Sequence, residues 1–245
     1  MDLLAPFHCK PRKSSKANGP DWSVPTVLPG GGSFVLLMAA SKGGTGKSTI
    51  CIHLAALVAQ SGHRTLIIDT DIDGDQQSCI AWSKLRNDDQ LKVIPARLDQ
   101  IPRAIDWAQR RGFTFIVVDT AGRDLAALHS ALEMADIMLT PAQPSPLDLQ
   151  ATAQIRRLWR ASSTPAALVL NGVGQDNGAR ALHYMQRYGD LGPVLPAMVS
   201  RRVHYADAIA MGLGVSEYRH GGEGDIEMRR LLRAVFNRVE IKAQP

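Results

Sequence analysis

Cysteine is scarce in this chain: Cys9, Cys51 and Cys79 are the three among 245 residues. They are too few and too scattered for a disulfide framework or a cysteine-ligated metal site, and a reducing cytoplasm suits them best. Aromatic residues make up 5% of the chain, which argues against recognition of nucleic acid by stacking on bases. No apolar run approaches the roughly 18 to 20 residues of a membrane-spanning helix, and short stretches such as 34–40 are the longest. The N-terminus does not read as a secretory signal, because its apolar residues precede its lysines. Heptads, Gly-X-Y runs and repeats of fixed period are missing too, which sets aside fibrous and solenoid classes.

What is there is ordinary for one globular core: 45% hydrophobic and 21% charged residues. A net charge of +5 and a pI near 9.3 permit nucleic acid or acidic lipid as a partner without demanding either. Residues 1–32 carry Lys10, Arg12, Lys13 and Lys16, then Pro25, Pro29 and Gly30-Gly31-Gly32, with little periodic apolar content. They are expected to form a flexible basic extension ahead of one domain over 33–245, at most adding a weak, salt-sensitive phosphate contact.

From residue 34 short apolar runs alternate with helical periodicity. Strands are expected at 34–38, 65–69, 113–119, 137–140 and 167–171, and helices where Ile50, Leu54, Leu57 and Val58 recur up to a stop at Ser61-Gly62 and at 101–111, 125–134 and 147–158. That alternation predicts an α/β fold, a mostly parallel sheet flanked by helices on both faces, because parallel neighbours need a crossover. Ligands of such sheets bind at the carboxyl ends of the strands.

The loop after the first strand reads Ser41-Lys42-Gly43-Gly44-Thr45-Gly46-Lys47-Ser48-Thr49. Its glycines let successive backbone N–H groups turn toward a phosphate, and the next helix adds its positive N-terminus. Lys47 reaches the outer phosphates, and Ser48 supplies a hydroxyl to Mg²⁺. A chance match to Lys-Gly-Gly-x-Gly-Lys-Ser is on the order of one in ten million per position, so a functionless Gly-rich turn is set aside. Ser41 stands where the general P-loop pattern has its first glycine, and Lys42 adds a second lysine.

Lys42-Gly43-Gly44-x-Gly46-Lys47-Ser48 resembles the deviant P-loop of the ParA/MinD superfamily of dimerising ATPases. Two later elements fit that resemblance. Asp69-Thr70-Asp71 looks like the family's Asp-x-Asp element, and the apolar run closing on Asp119-Thr120-Ala121-Gly122 looks like its Walker B and switch II. The resemblance implies ATP and Mg²⁺ as cofactors, Lys42 crossing a homodimer interface to the partner's nucleotide, Asp71 orienting water and Asp119 holding Mg²⁺ through water. It further implies that Asn171, ending the 167–171 strand, contacts adenine. Relatives usually continue Pro-Gln after the second aspartate. Here Ile72-Asp73-Gly74 intervenes before Asp75, which leaves open whether Asp71 or Asp73 faces the γ-phosphate.

Coverage runs over about 34–240 and points to the small ParA partition ATPases, which bind DNA without sequence preference as ATP dimers and associate with the nucleoid. A ParB-like or cargo-adaptor protein stimulates their slow hydrolysis. Arg201, Arg202, Arg229, Arg230 and Arg233 are the candidate phosphate contacts, the plain alternative being a solvated helix face. Two other readings remain: a MinD-like membrane ATPase, disfavoured by an apolar-poor tail after Val239, and a nucleotide-sensing interaction protein with little hydrolysis. The seven histidines show no metal-ligand spacing.

Overall fold

The computed structural model describes residues 23–72, 78–86, 88–121, 128–174 and 178–243. Its strands are β1 (Phe34–Met38), β2 (Thr65–Asp69), β3 (Leu91–Pro95), β4 (Phe115–Asp119), β5 (Ile137–Ala142), β6 (Ala166–Val173) and β7 (Val194–Ser200). The helices are α1 (Lys47–Gln60), α2 (Ser78–Leu85), α3 (Ile101–Arg110), α4 (His129–Glu133), α5 (Pro146–Arg160), α6 (Gly178–Gly189), α7 (Val203–Ala210), α8 (Val215–Tyr218) and α9 (Glu223–Ala243).

The strands pair in the order β3-β2-β4-β1-β5-β6-β7, every neighbouring pair parallel. From β1 the chain builds outward to β3, returns to insert β4 beside β1, then builds toward the other edge through β7. That reversal makes the carboxyl ends of β1 and β4 a switch point, where a crevice opens for a ligand.

Position in the sheet explains how legible each strand is. β1, β2 and β4 are buried at every residue and read as continuous apolar runs. At the edges, β7 alternates buried Leu195, Ala197 and Val199 with less buried neighbours, and β3 buries only Leu91 well. Sequence patterning passes over α2, β3, α6 and β7: α2 has eight residues, and β3 and β7 are edge strands with one partner each, β3 carrying Lys92 and Pro95. The strand expected third is therefore the fourth. Of the helix expected over 125–134, residues 129–133 are helical and 125–127 lie outside the described residues.

Side chains of β1 divide the core. Phe34, Leu36 and Met38 point to the layer of α1 and α9, while Val35 and Leu37 point to the layer of α3, α5 and α6. Phe34 stacks on Phe115 at 5.8 Å and meets Phe236 edge-on at 5.0 Å. Phe34→Ala is expected to lower the unfolding free energy by about 3–5 kcal/mol, measured by urea denaturation. Packing also reaches ahead of residue 33: Leu28 is buried, Val24 leans on the same cluster, and His63 Nε2 lies 2.9 Å from the Pro25 carbonyl. The core thus begins ahead of the expected domain boundary, while 1–22 lie outside the described residues.

Candidate nucleotide-binding site

β1 delivers the chain through buried Ala39 and Ala40 into the glycine loop, and α1 starts at Lys47 with Gly46 as its N-cap. Gly44 and Gly46 have φ of 74° and 95°, in the left-handed region that favours glycine. Two amide side chains brace the loop from behind. Asn171 Nδ2 donates to the Thr45 carbonyl at 2.7 Å, and Gln143 Nε2 donates to the Gly44 carbonyl at 2.9 Å. Tyr188 in turn donates its hydroxyl to the Gln143 carbonyl at 2.7 Å. These braces engage loop carbonyls and not loop N–H groups, the donors a phosphate needs. Gly43, Gly44, Thr45, Gly46, Lys47, Ser48 and Thr49 thus form one turn into a helix N-terminus, with Lys47 largely buried and its Nζ 3.5 Å from the Lys42 carbonyl.

Lys42 sits half-exposed at the rim, its Nζ 3.0 Å from Asp148 Oδ2 in the same chain. Asp148 belongs to the first turn of α5. Its N–H donates to the N-cap Ser145 hydroxyl at 3.2 Å, and that hydroxyl donates to Asp148 Oδ2 at 2.6 Å.

The acidic wall comes from β2 and β4. Register pairs Asp69 with Asp119, and Met38 of β1 lies on the other side of Asp119. Burial pushes the Asp119 carboxyl up to about 6, opposed by hydrogen bonds from Ser48 and Cys79, reinforced by Asp69 and opposed again by Lys47. Its Oδ1 is buried without a hydrogen-bond partner. A desolvated acid with a bare oxygen beside a P-loop serine fits a divalent cation and its bound water, which would supply the missing donor and charge. Among the described residues no group of three or more His, Cys, Asp or Glu is placed to hold a metal.

Asp71 is half-buried just past β2, its N–H bonded to Asp69 Oδ1 at 3.1 Å. Asp69 also accepts the Ile80 N–H at 3.3 Å and so ties both ends of the following loop to β2. Asp73, Asp75 and Gly122 lie outside the described residues.

Sequence reasoning missed several of these supports. Thr70 and Thr120 each follow a strand-ending aspartate. The Thr70 hydroxyl donates to the Asp119 carbonyl at 3.1 Å and accepts the Ala121 N–H at 2.9 Å, and the Thr120 hydroxyl donates to the Met38 carbonyl at 2.8 Å. The repeated Asp-Thr was the available signal. Gln143 and Cys79 gave none, since both contacts join segments far apart in sequence.

The arginines divide into ion-paired and exposed ones. Arg202 bonds Glu227 Oε1 at 3.1 and 2.9 Å and also pairs with Glu223, and Arg229 bonds nearly fully buried Asp225 at 2.7 Å. On α9, Arg233 is a helical-face neighbour of both Arg229 and Arg230, and Arg229 and Arg233 line a cavity of about 390 Å³ beneath residues 23–29. Arg201, Arg230 and Arg233 are exposed. Arg202 acts first as a structural ion pair tying the start of α7 to α9, and Arg229 as an i,i+4 pair within α9. The buried stripe of α9 runs through Met228, Leu231, Leu232, Val235 and Phe236, with Ile226 half-buried.

A glycine loop between a buried strand and a helix N-terminus, faced by strand-ending carboxylates, defines a P-loop nucleotide-binding protein. Residues 36–215 match the family model of the CobQ/CobB/MinD/ParA nucleotide binding domain. The chain is 33% identical over 213 residues to the maintenance of carboxysome distribution protein A of Halothiobacillus neapolitanus, covering 83% of this chain and 97% of that one. It is 24% identical to the chromosome-partitioning ATPase Soj of Thermus thermophilus, covering 84% and 96%. Among solved structures, the MinC:MinD cell division protein complex of Aquifex aeolicus superposes with a TM-score of 0.69 at 15% identity, covering 84% of this chain and 96% of that chain. MinD of Pyrococcus horikoshii complexed with Mg-ADP gives 0.64 at 16% identity, covering 87% and 100%. The chain belongs to the CobQ/CobB/MinD/ParA family of P-loop ATPases. No helix among the described residues is long and apolar enough to cross a membrane.

Proposed function

We propose that this protein is a ParA-like positioning ATPase, cytoplasmic and nucleoid-associated, that dimerises on ATP, binds DNA without sequence preference and distributes a large cargo. The observation that carries the reading is the 33% identity extending over 97% of a carboxysome distribution protein, with Lys42 at the head of the glycine loop. That match favours a protein body over a plasmid or chromosome origin as cargo. A cargo-adaptor protein stimulating hydrolysis is the expected partner.

In this reading the loop N–H groups of residues 43–49 and the α1 N-terminus hold the ATP phosphates, and Lys47 neutralises the outer ones. Asn171 keeps the loop in shape through Thr45 and offers its Oδ1 toward the base. Ser48, with Asp119 acting through water and Asp71 assisting, would hold Mg²⁺, which would screen the charge on the γ-phosphate. Asp71 accepts a hydrogen bond from the attacking water and aligns it with the phosphorus. Lys42 from a second copy approaches the same phosphate and compensates charge as it shifts to the leaving oxygen. Closure of two copies then joins their exposed arginines, Arg201, Arg230 and Arg233, into one basic surface. Backbone phosphates alone can satisfy such a surface, in keeping with the scarcity of aromatics.

The deciding experiment is binding to a random-sequence duplex with ATP, ADP or no nucleotide across a salt series, using Asp71→Ala to hold the ATP state. Binding that needs ATP and falls about a thousandfold or more between 50 and 200 mM salt is the expected result for a dimer making several phosphate contacts. Absence of binding in every nucleotide state would overturn the DNA reading, leaving an ATPase that acts on protein partners alone.

A further inference from the structure

Two thiols meet the carboxylate at the heart of the site, and no role described so far uses them. Cys79, at the start of α2, is fully buried, and its Sγ donates to Asp119 Oδ2 at 3.3 Å. Cys51, in the first turns of α1, is equally buried, and burial, followed by the nearby Asp119 carboxylate, pushes its thiol up. Both are free cysteines. Asp119 Oδ1 has no partner despite its burial. The carboxylate is therefore anchored through one oxygen and bare at the other.

Three elements converge here. α1 supplies Cys51 and Ser48, α2 supplies Cys79, and β4 supplies Asp119. A carboxylate on the last residue of a strand can rotate about its side-chain torsions, and its terminal torsion is broad. A donor on Oδ2 restricts that rotation. Thiols are weak donors, so they orient the group while leaving it a strong acceptor for a cation's water. The plain alternative is that Cys51 and Cys79 are small residues filling space under the loop, with the contact incidental.

We propose that Cys79, seconded by Cys51, is a positioning residue for the cation site: its hydrogen bond to Oδ2 holds Asp119 so that Oδ1 stays open to the hydration shell of a divalent cation at Ser48. The inference rests on the ATP and Mg²⁺ reading above. It predicts that the coupling between cation and nucleotide depends on the donor, and not on the volume, at position 79.

The test compares the affinity for a fluorescent ATP analogue in EDTA and in Mg²⁺ for the full-length wild type, Cys79→Ala and Cys79→Ser, with thermal melting to establish folding. Cys79→Ala is expected to bind as the wild type does in EDTA and to lose about tenfold of the tightening that Mg²⁺ brings, the usual effect of removing an outer-shell partner. Cys79→Ser keeps a donor and is expected to retain most of that tightening. Cys51→Ala supplies a second, smaller loss should Cys79→Ala fail to fold. Equal Mg²⁺ responses in wild type and Cys79→Ala, or equal losses in the alanine and serine variants, overturn the positioning role and leave packing. A wild type that binds the analogue alike with and without Mg²⁺ would instead overturn the cation reading itself.

Discussion

Gly46→Ala is expected to weaken nucleotide binding by roughly 30- to 100-fold while the protein stays folded, combining two separable costs at about 1.4 kcal/mol per tenfold. The first is conformational: φ at residue 46 is 95°, and an L side chain held in left-handed backbone costs about 1–2 kcal/mol. The second is steric. A Cβ at this position would overlap Nδ2 and Cγ of Asn171, the side chain whose amide donates to the Thr45 carbonyl. To admit the methyl group, Asn171 must swing away, and a further 1 kcal/mol or so goes with its hydrogen bond.

A double-variant cycle separates the two. Asn171→Ala alone is expected to weaken binding about fivefold through loss of the brace. Adding it to Gly46→Ala should cost almost nothing more, because the brace is already displaced and the two effects are not additive. Titration with a fluorescent ATP analogue measures each corner. Full additivity would mean that Asn171 does not answer to residue 46, and that its contribution comes through the base.

Much of this site was legible because its logic is local. The glycine loop and the aspartates at strand ends are each written in fewer than ten consecutive residues, the helix that the loop opens follows directly, and the central strands announce themselves by unbroken apolar runs. What was illegible joins distant parts of the chain. Gln143 meets Gly44 across 99 positions, and Cys79 meets Asp119 across 40. Their types carry no signal, since a glutamine in a loop and a cysteine in a short helix have many ordinary uses. The strand β3 escaped for another reason: with one partner and one well-buried residue it needs little apolar patterning. The arginines of α9 misled in the opposite sense. Counted along the sequence they look alike, but Asp225, one turn back on the same helix, holds Arg229, while Arg230 and Arg233 stay exposed.

Lys42→Ala should leave nucleotide affinity in the isolated subunit close to wild type and abolish ATP-dependent dimerisation, a shift of at least about a hundredfold in the concentration needed. The asymmetry follows from where the side chain sits. Lys47 is largely buried inside the loop, whereas the Lys42 side chain is 44% exposed and turned aside to Asp148, away from its own phosphate cradle. It has little to lose toward its own ATP and can gain contact only with another copy's. Moving it there strips Asp148, a 3%-exposed acid whose Oδ1 already lacks a partner, of its one cationic neighbour among the described side chains. The bond from Ser145 alone would remain. Because the lysine is solvent-screened, the pair is worth no more than about 1 kcal/mol, small enough for a second nucleotide to break and large enough to disfavour dimers without one. Asp148→Asn keeps the shape of the α5 N-terminus and removes the charge that retains Lys42. If the pair restrains the free subunit, this variant dimerises on ATP at a concentration about fivefold lower than wild type, read by analytical ultracentrifugation. A higher concentration would mean instead that Asp148 guides Lys42 into the pose the partner copy needs. In either case Lys42→Ala/Asp148→Asn should behave as Lys42→Ala does, since the acid acts on dimerisation only through the lysine.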